Sequence, residues 1–211
     1  MAALFPLSIS AQNAVDTDSD EQLWPDVQIT VRLNEPWSLG FFGTARLGRN
    51  WSAFTNEQIG IGVTRRWGAN LSASLWYRHL HSDPAPGRHI DENRLFLDVT
   101  PRRELKWGLI LQDRNRFEWR RIRGQTSYRY RNRVQFERPF NLGEKRLTPY
   151  LAVEPFYDTR FRTWSRTQAF LGMRIPLHKH VTFDGFYMHQ WDSRVPPRHI
   201  NVLGVFWRLE F

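Results

Sequence analysis

The sequence predicts an all-β fold, an antiparallel transmembrane β-barrel of about 12 strands, with about 10 as the alternative. The first observation is an alternation of apolar and polar residues with period two along most of the chain, which is typical of strands with different surroundings on their two faces. The second is the aromatic content of 10 tryptophans and 15 phenylalanines in 211 residues, as expected at a membrane interface. The third is the final strand, in which Trp207, Leu209 and Phe211 alternate with polar residues, as in the membrane-insertion terminus of bacterial outer-membrane barrels.

The clearest strand spans residues 128–140, with the sequence YRYRNRVQFERPF. Arg129, Arg131 and Arg133 lie on one face of it. The other face carries Tyr128, Tyr130, Val134 and Phe136, with Asn132 as the polar interruption. An arginine that faces lipid near the bilayer centre costs about 2–4 kcal/mol. We therefore expect these three arginines to face the lumen of the barrel.

Other segments alternate in the same way and bring the total to eleven. They span residues 23–33, 36–48, 57–67, 70–80, 92–101, 105–117, 147–157, 164–176, 180–191 and 199–211. Short turns and long loops alternate between them, which is typical of the periplasmic and external ends of outer-membrane barrels. The long loops are predicted near residues 49–56, 80–92, 117–126, 158–164 and 192–198. Single-chain bacterial barrels have even strand numbers, so either a strand is hidden in residues 12–22, or one segment is split, or the N-terminal tail runs through the lumen.

The N-terminal residues indicate export. Residues 1–11 resemble the remnant of a secretory signal peptide, in which an apolar stretch ends in the small residues Ser10 and Ala11. Residues 12–22 are predicted to be an acidic, polar segment, and residues 23–211 are predicted to be the barrel. Together with the strand pattern, these features predict a bacterial outer-membrane location.

The charge of the chain predicts an anionic partner. The net charge is +9, and all but three of the 30 basic residues are arginines. Placing the segments side by side brings their polar faces into a belt around the lumen. The residues predicted to line it are Arg94, Asp98, Gln112, Arg114, Arg129, Arg131, Arg133, Glu154, Arg166 and Arg174. Charged rings set ion selectivity, and guanidinium groups suit carboxylate, sulfate or phosphate, so this belt predicts an anion or acidic-solute channel.

A plugged, structural barrel is the alternative. Narrow barrels are filled by side chains, and carboxylates such as Glu137 and Asp184 would neutralise many arginines. Such a barrel would stabilise the outer membrane through contacts with lipopolysaccharide. The inward glycines favour a cavity because they leave space, and they are Gly60, Gly62, Gly108 and Gly172.

A basic run is predicted in an external loop and consists of Arg116, Arg120, Arg121 and Arg123. There it would bind the phosphates of lipopolysaccharide or form a solvated charged loop. Outer-membrane lipid, the barrel-assembly machinery and small anionic solutes are the other expected partners. Nucleic acid is not expected, because the signal-like start and the final Phe211 indicate an exported membrane protein.

The sequence predicts no enzyme, no metal site and no cofactor. The chain has no cysteine, which excludes a thiol nucleophile and a thiolate metal site. His81, Ser82 and Asp83 are consecutive in a predicted loop, where neighbours rarely hold the geometry of a catalytic triad. His178 and His180 flank a short turn but lack further metal ligands.

Several stretches carry a family resemblance. They are YRYRNRVQFERPF, the following PYLAVEPFYD at 149–158, RNRFEWR at 114–120, NLSASLWYRHL at 70–80 and the terminal hairpin. They resemble a family of uncharacterised Gram-negative outer-membrane proteins known only as a domain of unknown function. The resemblance covers most of residues 23–211 and implies an outer-membrane β-barrel, but no activity. A soluble, secreted β-sandwich that binds acidic glycans is the main alternative fold.

Overall fold

The computed structural model describes residues 18–211 and consists almost entirely of β-strands. The strands are β1 (Ser19–Arg32), β2 (Trp37–Gly48), β3 (Ala53–Trp67), β4 (Leu71–Ala85), β5 (Arg88–Glu104), β6 (Ile110–Ile122), β7 (Gln125–Glu137), β8 (Phe140–Leu142), β9 (Lys145–Asp158), β10 (Thr163–His178), β11 (Val181–Asp192) and β12 (His199–Glu210). A 3-10 turn, Lys106–Gly108, joins β5 and β6. No helix in this part of the chain is long and apolar enough to cross a membrane. The predicted signal remnant, residues 1–11, lies outside the described residues.

Eleven of the strands close into a barrel. Neighbouring strands from β1 to β7 pair in order, β7 pairs with β9, and β9 to β12 pair in order, while β8 extends the sheet beside β9. The barrel closes where β12 pairs with β1, with Val27 opposite Trp207. This closing pair is parallel, because an odd number of strands that reverse direction at each turn leaves the first and last pointing the same way. The prediction of a β-barrel with about 12 strands is confirmed, and the β-sandwich is excluded.

The two rims of the barrel carry different ends of the chain. The C-terminal rim carries Phe211 and the turns after β1, β3, β5, β8 and β10, and the opposite rim carries Ser19 and the turns after β2, β4, β6, β9 and β11. Two of the long loops predicted at the opposite rim, near 80–92 and 117–126, are wrong, because residues 86–87 suffice to join β4 to β5 and residues 123–124 to join β6 to β7. The loop predicted near 192–198 is present as residues 193–198. Residues 81–83, before the turn at 86–87, are polar on both faces, so the alternation fades there although the backbone pairing continues.

The first strand begins inside the stretch 12–22, which was predicted to precede the barrel. Asp20 pairs in register with Ile200 of β12, and its side chain is buried. Its carboxylate accepts a hydrogen bond from the backbone N–H of Asn50 at 2.8 Å. The strand therefore starts before the predicted boundary at residue 23, because its acidic residues find donors within the barrel wall.

The outward face of the wall is apolar. Leu75, Leu171 and Leu203 are 47%, 58% and 48% exposed on this face. Exposed aromatic residues border the apolar band near both rims: Trp37, Trp67, Trp207 and Phe211 near the C-terminal rim, and Trp51, Trp119, Tyr128, Trp164 and Trp191 near the opposite rim. An apolar belt between two aromatic girdles is the pattern of a transmembrane barrel.

The last residue of the chain lies in the closing seam. The backbone N–H of Phe211 donates to the carbonyl of Thr30 at 2.9 Å, and its carbonyl accepts from the N–H of Arg32 at 2.7 Å. The predicted terminal residues Trp207, Leu209 and Phe211 thus extend β12 along β1 to the C-terminal rim.

Aromatic rings fill the space beside several inward glycines. A Cβ atom at Gly62 would lie 2.2 Å from the Trp76 ring, and one at Gly172 would lie 2.4 Å from the Tyr150 ring. The expectation that these two glycines leave an empty cavity is therefore wrong, since each makes room for the ring on the neighbouring strand. Gly108 lies in the 3-10 turn with φ of 68° and not on the lumen wall.

Replacing Gly204 with alanine should lower the free energy of unfolding by about 1–3 kcal/mol, as overpacking does. The added Cβ would lie 2.0 Å from the inward ring of Phe186. The measurement is urea unfolding in detergent, followed by tryptophan fluorescence. Gly43→Ala is the matched control, because its Cβ would make an ordinary 3.6 Å contact with Val27 on the outward face. Equal losses in the two variants would contradict the packing role of Gly204.

Candidate functional site

A cavity of about 710 Å³ occupies the lumen of the barrel, and every strand of the wall contributes to its lining. Arg66 and Ser72 line it near the C-terminal rim, and Arg160 and Val195 line it near the opposite rim. One cavity therefore extends over the height of the barrel.

The wall of this cavity is strongly cationic. All of the residues predicted to line the lumen line this cavity: Arg94, Asp98, Gln112, Arg114, Arg129, Arg131, Arg133, Glu154, Arg166 and Arg174. They reach it because they occupy alternate, inward positions of β5, β6, β7, β9 and β10. In total fourteen arginines line the cavity, against five carboxylates, so positive charge dominates the lining.

A network of buried ion pairs covers the wall formed by β6, β7 and β9. Arg131 donates from Nε to Oε1 of Glu154 at 2.8 Å and from Nη1 to Oε1 of Glu118 at 3.1 Å. Arg114 donates a further hydrogen bond to Glu154 at 2.7 Å. Glu154 is fully buried and Glu118 is 2% exposed. Side chains therefore tie these three strands together in addition to the backbone ladder.

The network continues towards the opposite rim through Glu92 and Asp158. Arg120 donates to Glu92 from Nε at 2.6 Å and from Nη2 at 2.7 Å, and its Nη1 donates to Asp158 at 3.1 Å. Asp158 also accepts from Nη2 of Arg129 at 2.7 Å and from Nη2 of Arg160 at 2.8 Å. One carboxylate thus holds three arginines.

Further carboxylates neutralise arginines elsewhere on the wall. The pairs are Asp98 with Arg116, Glu137 with Arg174, Asp184 with Arg208 and Asp192 with Arg166. The first pair is bidentate, with distances of 2.6 and 2.7 Å. Charge-assisted bonds of this kind hold each carboxylate on its arginine.

Arg66, which is exposed near the C-terminal rim, and two partly buried arginines deeper in the cavity lack a carboxylate partner among residues 18–211. The guanidinium of Arg78 stacks 3.7 Å from the centre of the Phe42 ring, and that of Arg133 stacks 4.0 Å from the Phe170 ring. The Nε atom of each is buried without a hydrogen-bond partner. Stacking occupies the face of each guanidinium and leaves its N–H edge for a ligand in the cavity. Arg78 was missed in the sequence, although it alternates with the outward Leu75 and Tyr77.

The basic run predicted to form a lipopolysaccharide-binding loop is divided between the two faces of the wall. β6 continues to Ile122, so Arg116 and Arg120 point inward and are buried in ion pairs. The prediction that these two arginines lie in an external loop is wrong, because strand alternation continues through them. Arg121 and Arg123 are exposed at the opposite rim.

Two similar polar clusters lie on exposed positions near the opposite rim. Tyr77 and His79 of β4 both bond Oδ1 of Asn93, at 2.6 and 3.0 Å. On β11 and β12, Tyr187 and His189 both bond Oδ1 of Asn201, at 2.8 and 2.7 Å. Each cluster consists of a Tyr-x-His sequence on one strand and an Asn on the next strand. Sequence reasoning missed these clusters because the Asn is recognised as a partner only when the pairing of the strands is known.

The residues considered for a catalytic triad do not converge. Ser82 accepts a hydrogen bond from the amide of Asn56 at 2.5 Å, on the face of β4 opposite to His81 and Asp83. Strand alternation separates the hydroxyl from the imidazole. These three residues therefore do not form a nucleophile and base pair in this structure.

The family model described as "protein of unknown function (DUF2490)" matches residues 21–201. The chain belongs to this family. The match covers the barrel from the third residue of β1 to the third residue of β12, and it confirms the predicted resemblance to an uncharacterised family. No curated protein sequence matches the chain.

Two solved structures share the barrel. LpxR from Salmonella typhimurium superimposes with a TM-score of 0.52 at 9% identity, covering 87% of each chain. The β domain of the Bordetella autotransporter BrkA superimposes with a TM-score of 0.52 at 13% identity, covering 83% of each chain. Both are outer-membrane barrels, so the fold of this chain resembles that of outer-membrane proteins.

The prediction that the chain is not an enzyme, which was drawn from the absence of a thiol, a triad and a metal site, is overturned by a structural neighbour. LpxR is an outer-membrane enzyme, a lipid A deacylase. The barrel architecture therefore accommodates enzymatic activity. At 9% identity the likeness shows the fold alone, and no residue role is transferred from it.

Replacing Glu154 with glutamine should lower the free energy of unfolding by about 3–5 kcal/mol, because it leaves buried arginines uncompensated. Arg114 and Arg131 both bond this carboxylate, which is fully buried. The measurement is the urea midpoint in detergent micelles. The control is Glu144→Gln, which removes the same charge from an exposed turn. A Glu154→Gln barrel as stable as the control would show that water or ions, and not Glu154, compensate these arginines.

Proposed function

We propose that the protein is an outer-membrane barrel whose lumen binds and conducts small anions. The observation that carries the proposal is the pair of cavity-lining guanidinium groups, Arg78 and Arg133, that lack a carboxylate partner within residues 18–211. The lumen carboxylates described above are already held by arginines, so an incoming anion meets cationic N–H donors and few free negative charges. Guanidinium edges bind carboxylate, phosphate and sulfate groups with directional hydrogen bonds.

The dimensions of the cavity favour small anions. Strands of this length, tilted as in other barrels, give a height of about 30 Å. Spreading the 710 Å³ that is open to the centres of water-sized spheres over that height gives a mean cross-section of about 24 Å² for those centres. Inorganic anions and single carboxylate or phosphate groups fit a passage of this kind.

The second candidate function is that of a plugged structural barrel. The ion-pair network and the rings of Trp76, Tyr150 and Phe186 support it, because they occupy much of the lumen. In that case Arg121 and Arg123, which are exposed at the opposite rim, contribute by binding the phosphates of lipopolysaccharide. This candidate requires a folded barrel that carries no ionic current.

The proposed orientation directs the C-terminal rim to the periplasm and the opposite rim to the cell exterior. Its support is the exposed terminal pattern of Trp207 and Phe211, which is the form of strand that outer-membrane barrels present at their periplasmic end. We assign the same residues to recognition by the barrel-assembly machinery. Outer-membrane lipid then surrounds the apolar belt.

The wild-type barrel, refolded in detergent and inserted into a planar bilayer under a salt gradient, should give discrete conductance steps with anion selectivity. The double variant Arg78→Gln with Arg133→Gln should lower the anion-to-cation permeability ratio by about threefold or more, because fixed charges set selectivity. The reversal potential measures this ratio. Neither substitution strands a carboxylate, so the fold should survive.

The matched control is Arg103→Gln, which removes the same charge from an exposed position on β5. It should leave the selectivity unchanged. Silence from a folded, heat-modifiable wild-type barrel would overturn conduction and leave the structural candidate. Equal effects of the lumen and control variants would show that surface charge sets the selectivity.

Cysteine labelling should test the membrane and the orientation together, because the chain has no cysteine of its own. Gln125→Cys is exposed at the opposite rim, and Glu144→Cys is exposed at the C-terminal rim. A membrane-impermeant maleimide should label the first variant on intact cells and the second only after permeabilisation. The reverse pattern contradicts the orientation, and labelling of a soluble fraction contradicts the location.

A further inference from the structure

The hairpin of β4 and β5 brings together two histidines and a carboxylate at the opposite rim. His81 and Asp83 lie on the same face of β4, and the pairing of Ser82 with Ile90 places His89 beside them. Nδ1 of His89 lies 2.5 Å from Oδ1 of Asp83, and Nε2 of His81 lies 3.5 Å from the same oxygen. One ligand atom from each of the three residues falls within 4.8 Å of the other two.

We propose that His81, Asp83 and His89 form a binding site for a divalent transition-metal ion, with zinc as its probe. Imidazole and carboxylate are ligands that zinc prefers, and three of them with a water molecule complete a tetrahedral site. Metal–ligand bonds of about 2.0–2.1 Å place the ligand atoms about 3.3 Å apart. The separations of 2.5, 3.5 and at most 4.8 Å bracket this value, so small side-chain rotations suffice.

A neighbouring carboxylate orients the first histidine. Oδ1 of Asp91 bonds Nδ1 of His81 at 2.7 Å, which leaves Nε2 of His81 directed at Asp83. Metal-binding histidines characteristically bond a carboxylate through the ring nitrogen that does not bind the metal. Asp91 is thus a positioning residue of the site.

The backbone of two ligands is anchored by arginines from the flanking turns. Nη2 of Arg49, from the turn after β2, donates to the carbonyl of Asp83 at 2.8 Å. Nη2 of Arg123, from the turn after β6, donates to the carbonyl of His89 at 2.9 Å. The hairpin is therefore held from both sides, and this support reduces the ordering that metal binding would require.

The other histidine pairs of the chain lack this arrangement. His178 and His180 lie with ring centres 5.9 Å apart at the C-terminal rim, and His180 bonds a backbone carbonyl through Nδ1. His189 and His199 form a second pair, with Nδ1 of His199 at 3.5 Å from Nε2 of His189. Among residues 18–211, neither of these two pairs forms a three-ligand cluster with a carboxylate. These pairs provide internal controls.

Zinc chloride is titrated into the metal-stripped, tag-free barrel in detergent, and the heat of binding is measured by calorimetry. The titration should show one tight site per chain. His89→Ala should weaken binding by about tenfold or more, because it removes a ligand. Asp91→Asn should keep the stoichiometry and weaken binding by about 10–100-fold, as loss of an orienting partner does. His178→Ala should leave binding unchanged.

Cobalt(II) gives an independent readout, since its visible absorption bands report four-coordinate nitrogen and oxygen ligation. The bands should appear with the wild type and with His178→Ala and disappear with His89→Ala. Heat-modifiable migration of every variant in gel electrophoresis shows that it is folded. No tight zinc site in the folded wild type, or zinc affinity that His89→Ala leaves unchanged, would overturn the proposal, and neither result bears on conduction through the lumen.

Discussion

The parallel seam between β1 and β12 is the constraint on which the rest of the barrel depends. It closes an odd number of strands, and it places Ser19 and Phe211 at opposite rims. Closure also fixes which residues face inward, because a slip of one residue exchanges the two faces of a strand. Such a slip in β7 would move Arg129, Arg131 and Arg133 towards lipid, at a cost of about 2–4 kcal/mol each. The inward arginines therefore favour the observed register of β7, and this register in turn keeps their charges in the lumen.

Most arginines of the lumen fall into two groups, those that pair with buried carboxylates and those that stack on aromatic rings. Charges removed from water require partners. The network around Glu154, Glu118 and Asp158, together with the pairs on Asp98, Glu137, Asp184 and Asp192, supplies them for most of the cavity-lining arginines. Arg78 and Arg133 are accommodated differently, because aromatic rings cover their faces and leave their N–H edges to the cavity. The same wall thus combines paired charges with guanidinium groups whose N–H edges face the cavity.

The comparisons relate this architecture to two barrels of low sequence identity. LpxR and the BrkA β domain share the wall at 9% and 13% identity, which leaves few residues in common. A closed barrel prescribes alternation and backbone pairing but not the chemistry of its lumen or rims. Function in this family therefore has to be argued from local groups, such as the arginine-lined cavity and the histidine cluster at the hairpin of β4 and β5.

The sequence by itself determined the barrel class and the inward face of most strands. Period-two alternation is a local property, so Arg131 and Glu154 were assigned to the lumen without knowledge of any partner. Where both faces are polar, as at residues 81–83, the alternation carries no information. Arg116 and Arg120 were read as loop because they belong to a run of basic residues, although Phe117 and Trp119 continue the alternation through them. Only the tertiary structure decided the parallel closure, the rings that fill Gly62 and Gly172, and the meeting of His89 with Asp83. Each of these depends on register between strands, which pairs residues through backbone hydrogen bonds and leaves no mark in the pattern of a single strand.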